Sequence, residues 1–167
     1  MIDRLLAGAF NARLGRRYRT LMVGGAGEPL YLPARGSAPA LLRYCENYPR
    51  SVLHELAHWC LAGHQRRALV DFGYWYQPPP RSATQQLAFY RAELRPQALE
   101  CLFCRVCAID FEVSTDQVGI ASEEFSADVA ALADQFARQG LRGRAREVAD
   151  LMAGACATVV RASDARA

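Results

Sequence analysis

The segment His54-Glu55-Leu56-Ala57-His58 constrains this chain more than any other, because it holds two of the three histidines in 167 residues. We predict a helix here that begins near Pro49, since proline suits the first helical position, and ends at Gly63. Residues four apart on a helix lie ~40° apart around its axis, so His54 and His58 project from one face and can share a divalent metal ion. The pattern therefore predicts a metal site on a central, largely buried helix.

Two residues compete to be the third ligand. His64 extends the pattern to H-x3-H-x5-H, but on a continuous helix it would lie ~240° from His58, so the chain would have to reverse at Gly63. With His64 as ligand and Glu55 as general base, the site would be that of a zinc hydrolase, either a peptidase or an endoribonuclease. Glu93 would instead complete a set of two histidines and one carboxylate, which suits Fe(II) and oxygen chemistry. The residues alone leave both alternatives open.

The rest of the chain predicts a single α+β domain, residues 1–167, with helices around a small sheet of three or four short strands. About half the residues are apolar, which is enough for a core. The predicted strands are Thr20–Val23, Leu30–Leu32, Leu41–Cys45 and Ile109–Val113. The predicted helices beside the central one are residues 1–14, a helix that Ser82 and Gln85 cap and Pro96 breaks, one from Ser122 to Gly140, and 143–157. We expect residues 1–115 to form the metal-binding core and 116–167 to add C-terminal helices.

Composition limits the setting. The net charge is +3 and every basic residue is arginine, which allows an acidic partner without requiring nucleic acid. We expect a cytoplasmic protein, with no membrane-spanning segment and with its cysteines as thiols. Cys101, Cys104 and Cys107 have a spacing found in iron–sulfur proteins, but their apolar surroundings favour buried thiols.

A candidate substrate surface follows the central helix. We predict that the aromatic residues line a substrate slot, that Asp71 binds a substrate amine and that the arginines contact an acidic partner. Core packing for the aromatic rings and a solvated face for the arginines are the alternatives. These residues are Arg66, Arg67, Asp71, Tyr74, Trp75 and Tyr76. The C-terminal arginines (138, 142, 144 and 146) lack interleaved aromatic residues, so we expect them on the surface and expect no direct nucleic-acid binding.

Four blocks of this sequence resemble the elongation factor P hydroxylase family. They are His-Glu-Leu-Ala-His-Trp-Cys-Leu-Ala-Gly (54–63), Arg-Arg-Ala-Leu-Val-Asp-Phe-Gly-Tyr-Trp-Tyr (66–76), Glu-Leu-Arg-Pro-Gln-Ala-Leu-Glu (93–100) and Glu-Pro-Leu-Tyr-Leu-Pro (28–33). The likeness covers roughly residues 1–115. It implies a fold similar to that of the H-x3-H-x5-H endoribonucleases of rRNA maturation.

The resemblance also implies an activity. Family members hydroxylate the modified lysine of translation elongation factor P after a β-lysyl group has been attached to it. The implied site is of the Fe(II) type with O2 as co-substrate, matched here by His54, His58 and Glu93, with His64 as a secondary candidate and Glu55 in a supporting role. Zinc or another divalent cation could occupy the same donors. The sequence shows no separate motif for 2-oxoglutarate, and it does not determine the oligomeric state.

Overall fold

A three-stranded sheet forms one side of the core. The computed structural model describes residues 2–45, 48–74, 78, 80–115 and 122–164, with the backbone alone at 122 and 159–164. The strands are β1 (Thr20–Ala26), β2 (Leu30–Leu32) and β3 (Ala40–Cys45). β3 lies in the middle, parallel to β1 and antiparallel to β2. Alternate residues of β3 are buried, as expected for a strand that packs on one face.

The central helix is α2 (Pro49–Leu61), and it packs against the sheet and three other helices. As predicted, it begins with proline at its first turn, and it ends just before Gly63 through an extended Ala62. Trp59 is fully buried, with its ring edge-on to Phe10 and Tyr18. α2 is therefore held on nearly all sides, and the positions of its histidines are fixed by the core.

The longest helix, α3 (Ala83–Cys107), opposes α2. The predicted capping box of Ser82 and Gln85 is present at its start. The predicted break at Pro96 is wrong, because α3 runs through that residue without interruption. A proline removes one backbone hydrogen bond from a helix. Here Pro96 is buried, and packing against α2 and two C-terminal helices stabilises α3 on both sides of it.

The remaining helices enclose this pair. They are α1 (Ile2–Phe10), which continues as a π-helical turn (Asn11–Gly15), α4 (Ser122–Gln139) and α5 (Gly143–Asp164). α4 packs on α3, while α5 contacts α1, α2 and α3. The described chain is thus a single α+β domain, as predicted. No helix in its described part is both long enough and apolar enough to span a bilayer.

The predicted strand at Ile109–Val113 is wrong, because residues 109–115 form no strand. Side chains take the place of a strand partner there. The Gln97 amide binds both the N–H and the C=O of Ser114, at 3.0 and 2.8 Å, and Arg50 donates to the C=O of Glu112. The segment is therefore held to α2 and α3 without joining the sheet.

Candidate metal centre

Three side chains from α2 and α3 converge. The Nε2 atoms of His54 and His58 lie 3.1 Å apart. One carboxylate oxygen of Glu93 lies 3.2 Å from Nε2 of His58, and the other lies 3.6 Å from Nε2 of His54. Donors about 2.1 Å from one divalent ion, at tetrahedral or octahedral angles, lie about 3.0–3.4 Å from one another. The three donors therefore fit a single divalent metal ion.

Helix geometry explains the convergence. His54 and His58 are one turn apart on α2, so their rings face the same side. α3 crosses that side and presents Glu93 between them. Within the described part of the chain, these three residues are the one group of histidine, cysteine or acidic side chains arranged closely enough to hold a metal ion.

Glu100 orients the first histidine. Its Oε2 lies 2.9 Å from Nδ1 of His54, and its Oε1 accepts a hydrogen bond from Nε of Arg50 at 3.1 Å. A carboxylate that accepts a proton from one ring nitrogen fixes the tautomer and aims the other nitrogen at the metal. Glu100 is buried, 2 % exposed, so this hydrogen bond is shielded from water.

Sequence reasoning missed this supporting role of Glu100. Glu93, Gln97 and Glu100 are spaced four and three residues apart, which is one face of a continuous helix. The expected break at Pro96 hid that face. Nε2 of Gln97 lies 3.5 Å from Oε2 of Glu93. The same face of α3 therefore also helps to position Glu93, the carboxylate ligand candidate.

The electrostatics of the cluster favour opposite charges. Burial opposes the charging of His54, but the hydrogen bond to Glu100 and the charges of Glu93 and Glu100 outweigh it and raise the pKa of His54 to about 10. Burial also opposes ionisation of Glu93, but His58 and His54 lower the pKa of Glu93 to about 2. The carboxylate is therefore ionised at neutral pH, and His54 holds a proton that a metal ion must displace.

Glu55, the predicted general base or supporting residue, lies next to His54 along α2 and is buried, 7 % exposed. Burial raises the pKa of Glu55, and the positive charges of His54 and His58 oppose that rise. A carboxyl group whose pKa is raised holds a proton more readily than an ordinary one, which makes Glu55 a candidate for proton transfer. Its role in proton transfer stays a prediction.

One residue of the aromatic segment reaches the cluster. The ring of Tyr74 lies edge-on to that of His58, with centroids 5.5 Å apart. The guanidinium of Arg66 lies over the Tyr74 ring at 4.4 Å and donates to the C=O of Phe72 at 3.2 Å. Trp75 and Tyr76 lie outside the described residues. Tyr74 and Arg66 thus form one wall beside His58.

Asp71 and Arg67 have other partners. The Asp71 Oδ1 atom accepts the backbone N–H of Tyr31 at 2.8 Å, which ties this loop to β2. Arg67 donates to the C=O of Ala62 at 2.7 Å. Their predicted roles in substrate binding stay predictions.

His64 is exposed and is not part of the cluster. α2 ends at Leu61, and two turns of 3-10 helix follow at Arg66–Ala68 and Val70–Gly73. His64 instead lines a cavity that Arg67 and Tyr18 share. The structure therefore does not bring His64 to the two other histidines.

Two further predictions concern cysteines and arginines. Cys101, Cys104 and Cys107 are buried as free thiols on α3, as the apolar context indicated. For Arg144 the predicted surface position is wrong. Its guanidinium lies 4.5 Å over the ring of buried Trp59 and donates to the C=O of Cys60 at 3.1 Å.

Fold and site together define an α+β protein with a candidate metal centre of two histidines and one carboxylate on paired helices. The family model described as "Elongation factor P hydroxylase" matches residues 9–163 of the chain. The chain therefore belongs to the elongation factor P hydroxylase family.

A curated relative from Haemophilus influenzae is similar as well. It is named "Elongation factor P lysine hydroxylase" and is 40% identical over 110 residues, which are 65% of this chain and 62% of the relative. The match thus spans under two thirds of the relative's length. The family match extends beyond residue 115 into α5, while the division of the chain at that residue stays a prediction.

Proposed function

We propose that this chain hydroxylates the β-lysylated lysine of translation elongation factor P at a mononuclear metal site held by His54, His58 and Glu93. One observation carries the proposal: the Nε2 atoms of two histidines and a carboxylate converge within 3.1–3.6 Å in a member of the hydroxylase family. The name of the Haemophilus influenzae relative supports the same substrate and the same type of residue.

We propose Fe(II) as the metal and O2 as co-substrate. Iron held by two histidines and one carboxylate keeps open coordination positions and supplies the redox chemistry of oxygenases. In the net reaction, a C–H bond of the substrate becomes C–OH. The second oxygen atom leaves as water with two electrons and two protons from a reductant.

The side chains of this chain prepare the site for that reaction. Glu100 and Arg50 hold the His54 ring so that its Nε2 faces the centre. Gln97 restrains Glu93 from the next turn of α3. Glu55 is the candidate for moving a proton, because it directly follows His54 on α2, is buried and has a raised pKa.

The cationic arm of the substrate would approach along the wall of Tyr74. An aromatic face attracts cations, and an aliphatic lysyl chain packs well against a ring. Asp71 adds a carboxylate to this loop, and the modified lysine carries the complementary positive charge. A translation factor as substrate also implies that the chain works in the cytoplasm.

Mass spectrometry of the substrate tests the proposal. β-Lysylated elongation factor P is incubated with Fe(II)-loaded protein under oxygen. The mass of the peptide that carries the modified lysine is then measured. We expect the mass to increase by one oxygen atom, and we expect Glu93→Gln to abolish the increase while the exposed Glu123→Gln, on α4, retains it. An unchanged peptide, with the protein shown to hold iron, would refute the hydroxylase function.

A further inference from the structure

A basic cavity lies at the first residues of β1 and β3, outside the metal centre. Its volume is about 380 Å³, and its lining includes Arg19, Arg35, His64 and Arg67. The lining contains no carboxylate. In the part of the chain that the structure describes, none of these three arginines forms a salt bridge. Positive charge is therefore gathered here without a neutralising partner.

Arg144 adds a second guanidinium next to that of Arg67. Arg67 donates to the C=O of Ala62 at 2.7 Å, and Arg144 donates to the same oxygen. Burial and the positive charge of Arg67 lower the pKa of Arg144. Nη1 of Arg144 is buried and has no hydrogen-bond partner among the described residues. Arg67 and Arg144 thus share one carbonyl acceptor, and Nη1 of Arg144 is available to donate a further hydrogen bond.

The C-terminus of α2 explains only part of this arrangement. Its last carbonyls attract cations, and they carry the equivalent of about half a negative charge. Two guanidiniums bring two positive charges, which these carbonyls offset only in part, and the Trp59 ring attracts Arg144 without neutralising its charge. An unpaired buried N–H is also unfavourable. A role limited to capping α2 leaves both features unexplained.

The rim of the cavity is fixed by backbone contacts. Arg19 donates through Nη2 to the C=O of Gly36 at 2.6 Å, and its own C=O accepts the N–H of Ala40 at 2.7 Å. Arg35 is paired with Ala38 across the same loop. Arg35 is thus carried by an ordered loop, and Arg19, which directly precedes β1, is hydrogen-bonded to that loop. The cavity therefore exists before any ligand binds.

We propose that this cavity binds the phosphate group of a small organic ligand, with Arg67 in contact with the phosphate, Arg144 behind it, and Arg19, Arg35 and His64 around the rim. Guanidinium groups donate pairs of hydrogen bonds to phosphate oxygens, and a phosphate dianion matches the excess charge. A volume of about 380 Å³ lies at the small end of ligand pockets, so it suits a phosphate with a modest organic group. The proposal does not depend on hydroxylation.

This site gives His64 and Arg67 a role that the metal centre does not. Arg66 and Arg67 are consecutive in one 3-10 helix, yet Arg66 lies over Tyr74 beside the metal centre, while Arg67 lines the cavity. The two arginines therefore belong to two different sites.

Isothermal titration of the parent chain with phenyl phosphate and with inorganic phosphate, at constant ionic strength, tests the proposal. We expect saturable binding of one phosphate per chain. Arg67→Gln and Arg35→Gln should each weaken it by about tenfold, because each removes a charge-assisted hydrogen-bond donor. Arg35 lies in an exposed loop, so its variant tests the site without disturbing the core. The matched control is Arg138→Gln, exposed on α4, which should bind like the parent chain.

Three results would overturn the proposal. One is the absence of saturable binding of either phosphate. Another is equal binding of benzoate, which would mean that the cavity does not select phosphate. The third is binding that Arg67→Gln and Arg35→Gln leave intact but His54→Ala abolishes, which would assign the phosphate to the metal centre.

Discussion

Glu100 and Arg50 hold the ring of His54 in its orientation toward His58 and Glu93. Glu100 accepts hydrogen bonds from both, so the His54 ring is held from behind by a buried ion pair. Partners of this kind contribute to metal affinity although they never contact the metal, because they fix the tautomer and the ring orientation of the ligand.

Glu100→Gln should weaken metal binding by about 10–100-fold, the range found when such partners are removed. The change keeps the shape of the side chain but removes the charge that holds the Nδ1 proton of His54. Competition with a chelating dye measures the affinity, and the exposed Glu123→Gln serves as the control. Equal affinities of both variants would show that Glu100 does not orient His54.

Metal affinity should also rise with pH. The pKa of His54 is raised to about 10, so below that pH a metal ion must displace a proton from it. The pKa of Glu93 is lowered to about 2, so Glu93 is ionised throughout the neutral range and contributes no proton. From pH 6.5 to 8.5 we expect the affinity to rise by about tenfold per pH unit for the one displaced proton. Dye competition at several pH values measures this, and a pH-independent affinity would contradict it.

At the residue scale, the sequence predicts well that His54 and His58 lie together, and predicts their supporting residues poorly. His54 and His58 could be paired from their spacing alone, because helix periodicity is local. Arg144 could not be assigned, since its contacts with Trp59 and Cys60 join α5 to α2 across more than 80 residues of sequence.

Among the elements, α3 carries the largest difference between expectation and structure. Local preference predicts an interruption at Pro96, but tertiary packing keeps α3 continuous for 25 residues. This continuity puts Glu93 and Glu100 on one rigid face. The strands β2 and β3 were predictable because prolines beside them delimit short apolar runs. β1 was predicted to end at Val23, but it continues through Gly24 and Gly25 to Ala26. The segment 109–113 also contains apolar residues, but no strand pairs with it. The side chains of Arg50 and Gln97 bond instead to the backbone of Glu112 and Ser114.

Gly24 in β1 should tolerate no side chain. A Cβ atom there would lie 2.5 Å from Oη and 2.8 Å from Cε2 of Tyr44, and Tyr44 is fixed by burial and by its hydrogen bond to Asp3. Gly24→Ala should therefore lower the free energy of unfolding by about 1–3 kcal/mol. Urea denaturation followed by circular dichroism measures it.

Gly8 provides the matched control for that substitution. It lies within α1, and a Cβ atom there would meet nothing within 4 Å. Gly8→Ala should raise the free energy of unfolding by about 0.5–1 kcal/mol, because alanine favours a helix over glycine. If Gly24→Ala proved as stable as the parent chain, the close contact between β1 and Tyr44 would be wrong.

In the whole molecule, the candidate metal centre joins two helices that the rest of the fold holds in place. α2 is packed between the sheet and α1, α3 and α5, and α3 is packed between α2, α4 and α5. The three donors come from both helices, so they are brought together only in the folded chain. Metal binding and folding should therefore be coupled.

Metal loading should raise the unfolding temperature. A metal at 100 times its dissociation constant stabilises the folded state by about 2.7 kcal/mol if the unfolded chain does not bind it. For a domain of this size the shift should be roughly 5–10 °C. Calorimetry with and without metal measures it, and His54→Ala should remove the shift. A metal that binds the parent chain without raising the unfolding temperature would contradict the coupling.

The most direct test of the two-histidine, one-carboxylate centre is the iron content of three proteins loaded with Fe(II) without oxygen. Elemental analysis of the parent chain should give one iron per chain, and His64→Ala should give the same value. Glu93→Ala should lose its iron. If His64→Ala lost its iron and Glu93→Ala retained it, the third ligand would be His64. The assignment of Glu93, on α3, as the third ligand would then be wrong.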